Sequence, residues 1–208
     1  MNYLVLLRHG QSEWNKENRF TGFHDVGLSE LGKEEAHKAG ISLKHIKFDA
    51  VYTSTLIRAN HTAEIALDAS GSNEHLRDGD GWDMTREDDL RERDYGDLTG
   101  LNKDETRAKF GDEQVHIWRR SYDVPPPGGE ALINVVERVQ PYWEKHIKPR
   151  VEAGENILLA AHGNTLRAMM IILGEATPDT INEVEIPTGV PIIFEYENGM
   201  KGAHRFLK

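Results

Sequence analysis

Apolar positions along the chain follow two spacings. Tyr3 to Leu7 (YLVLL) is a continuous apolar run closed by Arg8-His9-Gly10, which predicts a strand buried on both faces. Ser29 stands as an N-cap ahead of Ala36, Ala39, Leu43 and Ile46, whose helical spacing predicts a helix. Ala50 to Thr53 predicts a second short strand, and Leu56, Ala59, Ala63 and Leu67 a second helix face. Asn156 to Ala161 (NILLAA) predicts a third buried strand, followed by His162-Gly163-Asn164 and an apolar helix through Leu173. This alternation predicts an α/β fold with three layers, a mostly parallel sheet flanked by helices.

Between these elements the pattern is weaker. Ala69 to Glu92 is polar, rich in Gly and Asp, and reads mainly as loop. Asn102 to Phe110 and Glu113 to Arg120 predict short helices. Asp123 to Glu130 (DVPPPGGE) reads as loop, because three successive prolines donate no backbone hydrogen bonds. Leu132, Val136, Val139, Trp143 and Ile147 give a further helix face, with Pro141 a kink. Pro191 to Tyr196 and Gly202 to Phe206 predict the last strands. No repeat, low-complexity tract or linker divides the 208 residues, so one catalytic-sized domain over 1–208 is expected.

Composition narrows the class. There is no cysteine, which removes disulfides, thiol nucleophiles and sulfur-ligated zinc. With 25 basic and 35 acidic residues the net charge is −10, a poor match for nucleic acid or anionic lipid. The opening MNYLVLLRHG has no basic segment ahead of its apolar run, which is too short for a signal-peptide core or a membrane span. A soluble, cytoplasmic protein without nucleic-acid or membrane partners is the expectation.

Two places share one layout: a buried strand, then histidine and glycine, then a helix. They are Leu7-Arg8-His9-Gly10 and Ala161-His162-Gly163. Parallel sheets bind ligands outside the carboxyl ends of their strands. In one sheet, His9 and His162 would therefore face each other across one pocket. The glycines permit close backbone approach, and a helix N-terminus offers N–H groups to an anion. Arg8, Arg58, Arg93, Lys103, Arg119, Arg120 and Arg167 fall near these strand ends or in connecting segments. A basic pocket in an acidic protein points to a small anionic ligand, because guanidinium forks match phosphate and carboxylate oxygens.

These residues sit in longer motifs. Leu7-Arg8-His9-Gly10-Gln11-Ser12-Glu13-Trp14-Asn15 with Phe20-Thr21-Gly22 resembles the opening of the 2,3-bisphosphoglycerate-dependent phosphoglycerate mutases. The resemblance continues through Tyr52-Thr53-Ser54, Arg58-Ala59, Glu92-Arg93-Asp94-Tyr95-Gly96 and Gly100-Leu101-Asn102-Lys103. It extends through Gly111-Asp112-Glu113-Gln114-Val115, Trp118-Arg119-Arg120, Ala160 to Arg167 and Pro187-Thr188-Gly189-Val190-Pro191. Arg-His-Gly alone indicates the wider histidine phosphatase superfamily; Trp-Arg-Arg and Leu-Asn-Lys point to the mutase branch.

The resemblance implies a phosphoglycerate mutase-like fold and the interconversion of 3- and 2-phosphoglycerate in glycolysis and gluconeogenesis. It implies that His9 is the nucleophile and carries a phosphoryl group, with 2,3-bisphosphoglycerate as primer and no metal. Arg8, Arg58 and His162 would surround the transferring phosphoryl oxygens, His162 as a cation. Glu92 would carry the proton of the substrate hydroxyl, with a pKa tuned toward neutrality. Ser12, Asn15, Thr21, Gly22, Gly163 and Asn164 would line the pocket. Arg93, Tyr95, Lys103, Arg119 and Arg120 would hold the carboxylate and second phosphate. Relatives are commonly dimers or tetramers, so a homo-oligomer is implied although no pattern in the chain marks an interface.

Three features depart from the family. Asp94 stands where many members have histidine, so its side chain is expected to turn away or to pair with an arginine. The loop after Pro127 is short, and the chain stops at Lys208 where many members extend a tail. Both shortenings predict a site leakier to water. A phosphatase of the same superfamily is the alternative reading, and Lys103 with Trp118-Arg119-Arg120 argues against it. A catalytically silent binding module would lack His9, Glu92 or His162, and all three are present.

Overall fold

In the computed structural model, which describes residues 1–207, the apolar runs become the middle of a six-stranded sheet. The strands are β1 (Asn2–Arg8), β2 (Ala50–Ser54), β3 (Arg77–Asp78), β4 (Gly81–Trp82), β5 (Thr85–Glu87), β6 (Ile157–Ala161), β7 (Ile192–Glu197) and β8 (Met200–Phe206). Apart from the β3–β4 hairpin they form one sheet in the order β5-β2-β6-β1-β7-β8. β5, β2, β6 and β1 run parallel, while β7 and β8 extend the sheet antiparallel. The helices are α1 (Glu13–Lys16), α2 (Glu30–Ser42), α3 (Ile57–Ser70), α4 (Lys103–Phe110), α5 (Asp112–Arg120), α6 (Leu132–Tyr142), α7 (Lys148–Glu152) and α8 (Gly163–Ile172).

The two-residue period of the central strands creates the layers. Leu4 and Leu6 of β1 and Ile157 and Leu159 of β6 face a core completed by α6 and α8. Val5 and Leu7, with Leu158 and Ala160, face the opposite core, completed by α2 and α3. Both faces are covered, which is why the runs read as continuously apolar.

Ser29 caps α2 as its position predicts, its Oγ accepting the Gly32 N–H at 3.1 Å. The loop reading of residues 69–92 is corrected in part. Thr85–Glu87 adds an edge strand to β2, with Tyr52, Thr53 and Ser54 opposite Thr85, Arg86 and Glu87. It is too short and too polar to show an apolar period. Pro141 does not end α6, which runs to Tyr142 before a π-helical segment, Trp143–Ile147, joins it to α7. Proline has no N–H for the regular helical bond, and the widened turn follows it.

The segment after β1 lies directly on α2. A Cβ on Gly32 would sit 2.1 Å from the carbonyl oxygen of Gln11, and one on Gly10 2.1 Å from the carbonyl oxygen of Gly32. The obstacles are backbone atoms, so no rotamer change relieves them. Gly32→Ala should lower stability by about 1–3 kcal/mol, the usual range for overpacking. Gly27→Ala, where a Cβ meets nothing within 4 Å, should leave it nearly unchanged. Urea unfolding of the two variants checks this, and equal midpoints would refute the contact.

Candidate active site

Strand register brings the two histidines together. β1 and β6 pair Leu7 with Ala160 and Arg8 with Ala161, so His9 and His162 are the next residues on adjacent strands. Their ring centroids lie 5.1 Å apart at 60°. The His9 N–H donates to the Ala161 carbonyl at 3.0 Å. His9 Nδ1 lies 2.7 Å from the Gly10 carbonyl oxygen, which only accepts, so Nδ1 carries the proton. Nε2 of a neutral His9 is then left with its lone pair. His162 has no exposed surface and sits beside His9, with Nε2 2.7 Å from Ser54 Oγ.

Around His9 the pocket is lined by Arg8, Asn15, Thr21, Gly22, Arg58, Glu92, Tyr95, Lys103, Arg119, Arg120, Gly163 and Asn164. Arg19, Phe20, Arg167 and Ile186 also line it. Cations arrive from five places: the end of β1, the segment after α1, α3, the α4–α5 pair and α8. Arg58 donates to the carbonyls of Gly22 and His24 at 2.8 and 2.9 Å, and Arg8 to that of Ile186 at 2.7 Å. Arg167 Nε donates to the Val184 carbonyl at 3.2 Å, and Arg19 to that of Gly100 at 3.0 Å. Arg8 Nε, Arg58 Nε, Arg120 Nη1, Thr21 Oγ1 and His162 Nδ1 are buried without a hydrogen-bond partner among the described residues. Buried donors in that state suit an anion.

Glu92 is the carboxylate in this ring. Its Oε1 accepts the backbone N–H groups of Arg93 at 2.7 Å and Asn164 at 3.2 Å, leaving Oε2 for a ligand. One N–H at the start of α8, expected to be open to an anion, is therefore taken by Glu92.

Two expected ligands sit elsewhere. Ser12 is the N-cap of α1, its Oγ accepting the Asn15 N–H while Asn15 Oδ1 accepts the Ser12 N–H. Arg93 is 1% exposed, and its guanidinium donates to the carbonyls of Trp118, Arg119 and Glu130. It ties α5 to the segment carrying Tyr95, whose ring its guanidinium covers at 4.5 Å. Neither Ser12 nor Arg93 lines the pocket. Asp94 turns away as expected, its Oδ1 accepting the Gly96 N–H at 2.9 Å. The proline loop packs beneath this same segment: the Asp97 N–H donates to the Pro127 carbonyl, and the Glu130 N–H to that of Asp94. Residues 123–130 buttress Tyr95 and do not line the mouth. Arg19 and Arg167 were not among the expected ligands, although Arg167 stood in the basic cluster around the strand ends.

Burial and positive neighbours shift the titrations. His9 is held well below the ordinary 6.5, by burial first, then by Arg58 and Arg8, against the pull of the Gly10 carbonyl. His162 is also held well below 6.5, by burial, then Arg58, His9, Arg138 and Arg8. The expectation that His162 is a cation is corrected for the free pocket, where both rings are neutral at pH 7. Burial lowers Arg58 to about 10, and burial with Arg120 lowers Arg167 to about 10, so both stay charged.

Residues 4–206 match the histidine phosphatase superfamily, branch 1. A protein of Parvibaculum lavamentivorans named 2,3-bisphosphoglycerate-dependent phosphoglycerate mutase is 53% identical over 95% of this chain and 91% of its own length. A Brucella canis protein of the same name is 54% identical over 92% of this chain and 90% of its own. Among solved structures, a mycobacterial glucosyl-3-phosphoglycerate phosphatase complexed with VO3 superposes with a TM-score of 0.79 at 26% identity, covering 94% of this chain and 93% of its own. Among the described residues no helix is long and apolar enough to cross a membrane.

The neutral histidine pair makes stability depend on pH. Unfolded, both imidazoles take protons as pH falls through about 6.5; folded, they resist until well below it. The unfolded chain then binds more protons, so stability is full above about pH 6.5 and falls below it. Urea midpoints measured from pH 8 to 5 should decline, and less steeply in His162→Gln. An identical slope in that variant would show that the ring is not held neutral.

Proposed function

The chain belongs to branch 1 of the histidine phosphatase superfamily, among the 2,3-bisphosphoglycerate-dependent phosphoglycerate mutases, and on that premise we propose that it interconverts 3- and 2-phosphoglycerate. It does so in glycolysis and gluconeogenesis, in the cytoplasm, through a phosphohistidine primed by 2,3-bisphosphoglycerate. The observation that carries this reading is the charge of the pocket. Seven cationic side chains and one carboxylate line it. Two phosphoryl groups at about −1.5 to −2 each, with one carboxylate, come to about −4 to −5. A single phosphate ester needs far less, and Lys103, Arg119 and Arg120 come from α4 and α5, apart from the strand ends that hold the histidines.

His9 Nε2 provides the lone pair. With the phosphoryl group on His9, the 2-hydroxyl of 3-phosphoglycerate attacks phosphorus and passes its proton to Glu92 Oε2. The new O–P bond forms as the N–P bond breaks, giving the bisphosphorylated acid. After it turns in the pocket, His9 Nε2 attacks the other phosphoryl group. The departing oxygen then takes the proton back from Glu92, and 2-phosphoglycerate leaves. Arg8, Arg58 and His162 stabilise charge at the transferring group, where positioning and electrostatics supply most of the catalysis. Arg119, Arg120 and Lys103 hold the end that does not react.

The phosphatase reading keeps one specific support, the named activity of the mycobacterial structural neighbour. Incubation with 2,3-bisphosphoglycerate followed by mass analysis should place one phosphoryl group on His9, with isomerisation of 3-phosphoglycerate exceeding its hydrolysis. Phosphate on His162 with His9 unmodified would overturn the nucleophile; hydrolysis without isomerisation would establish the phosphatase.

Arg120→Ala should weaken binding of 2,3-bisphosphoglycerate by about 1.5–3 kcal/mol, the range for a hydrogen bond to a charged group. Hydrolysis of a small generic phosphate ester by the same variant should change much less. Equal losses on both would remove Arg120 from the non-reacting end.

A further inference from the structure

Ser54, the last residue of β2, has no exposed surface and is not needed for anything derived above. Its Oγ lies 2.7 Å from His162 Nε2 and accepts the Leu56 backbone N–H at 3.2 Å. Among the described residues these are its only side-chain hydrogen bonds. The serine proton therefore has one acceptor within reach, His162 Nε2.

Counting the alternatives decides the direction. If Nε2 carried hydrogen, both it and Leu56 would donate to Ser54 Oγ. The serine O–H would then be buried without an acceptor, and His162 Nδ1 would keep an unpaired lone pair. With hydrogen on Nδ1, the serine O–H is satisfied and one N–H alone stays unpaired, on an atom that is buried and partnerless. An unmade buried hydrogen bond is expensive, so the second arrangement wins. We propose that Ser54 is a positioning residue: its hydroxyl donates to His162 Nε2, fixing a neutral imidazole whose Nδ1–H serves as hydrogen-bond donor to the transferring phosphoryl group.

The groups facing the ring agree with a neutral form. Arg58 from α3, Arg138 from α6, and Arg8 and His9 from the end of β1 all disfavour a further positive charge there. Asn60 Nδ2 donates to the Ser54 carbonyl at 3.1 Å and steadies the residue that sets the ring. The proposal rests on the phosphoryl-transfer reading for what the donor acts upon, but the position of the proton does not depend on any activity.

The test reads that proton directly. Nitrogen-15 NMR of histidine-labelled protein without substrate, with His162 assigned by its loss in His162→Gln, should show Nδ1 protonated and Nε2 bare. Ser54→Ala should populate the Nε2–H form and lower kcat roughly tenfold to a hundredfold, up to the cost of losing one preorganised donor, with KM little changed. Ser54→Thr keeps the hydroxyl and should restore both tautomer and rate. A bare Nδ1 on His162 in the wild-type protein overturns the proposal even if neither Ser54 variant folds. So does Ser54→Ala with an unaltered tautomer. Because the spectrum is taken without substrate, failure of the mutase assignment would appear in the activity assay alone.

Discussion

The parallel pairing of β1 with β6 is the constraint on which the rest of the structure depends. Backbone hydrogen bonds hold Arg8 opposite Ala161, and the chain leaves both strands at the same level. Whatever residue follows each strand must therefore meet the other. Both are histidine, and neither is free to move, because the strands are buried on both faces between α2 and α3 on one side and α6 and α8 on the other. The spacing of the rings is a property of the sheet rather than of a flexible loop. A one-residue slip would turn every apolar side chain of β1 into the wrong core, so the hydrophobic layers protect the catalytic geometry.

Concentrating cations inside a protein of charge −10 poses the opposite difficulty, that of keeping them from being neutralised. Arginines outside the pocket, the carbonyl-bound Arg93 apart, are paired with carboxylates, as in Arg138 with Glu130, Arg150 with Glu155 and Arg107 with Asp104. Those that point into it are held mainly by carbonyl oxygens: Arg58 by Gly22 and His24, Arg8 by Ile186, Arg167 by Val184. A carbonyl fixes a guanidinium in place without cancelling its charge, whereas a carboxylate does both. Arg19 is the mixed case, bonded to the Gly100 carbonyl and paired at the rim with Glu17. The result is a pocket whose field survives folding, and whose burial shows in the lowered pKa of Arg58 and Arg167.

How much of this was legible in the sequence follows from what each residue does. β1, β2 and β6 were readable because their burial leaves continuous apolar runs, and the histidine pair followed once those strands were put in one sheet. Thr85–Glu87 was not, because an edge strand of polar residues has no apolar period to display. The distinction between a ligand and a strut was also hidden. Arg93 and Arg120 are both arginines within family motifs, but the first is tied to three carbonyls away from the pocket wall and the second lines the pocket. Ser12 could equally cap a helix or bind a phosphate, since a hydroxyl before a helix suits both. The neutrality of His162 required knowing which groups surround it, which no spacing along the chain reveals.

The two histidines finally illustrate how one tautomer can serve two purposes. On His9 the Gly10 carbonyl takes the Nδ1 proton and leaves the Nε2 lone pair free, in the proposed function to attack phosphorus. On His162 the Ser54 hydroxyl occupies the Nε2 lone pair and leaves Nδ1–H for an oxygen of the same phosphoryl group. The protonation state is the same and the difference lies in the neighbour, an acceptor in one case and a donor in the other. Both rings start neutral, so in the proposed transfer the positive charge that His9 gains as its Nε2 bonds phosphorus is created only when the phosphoryl group is present to balance it. Carrying that charge beforehand, among Arg8, Arg58 and Arg138, would work against the fold; acquiring it on contact stabilises transfer more than the resting state, which is what catalysis requires.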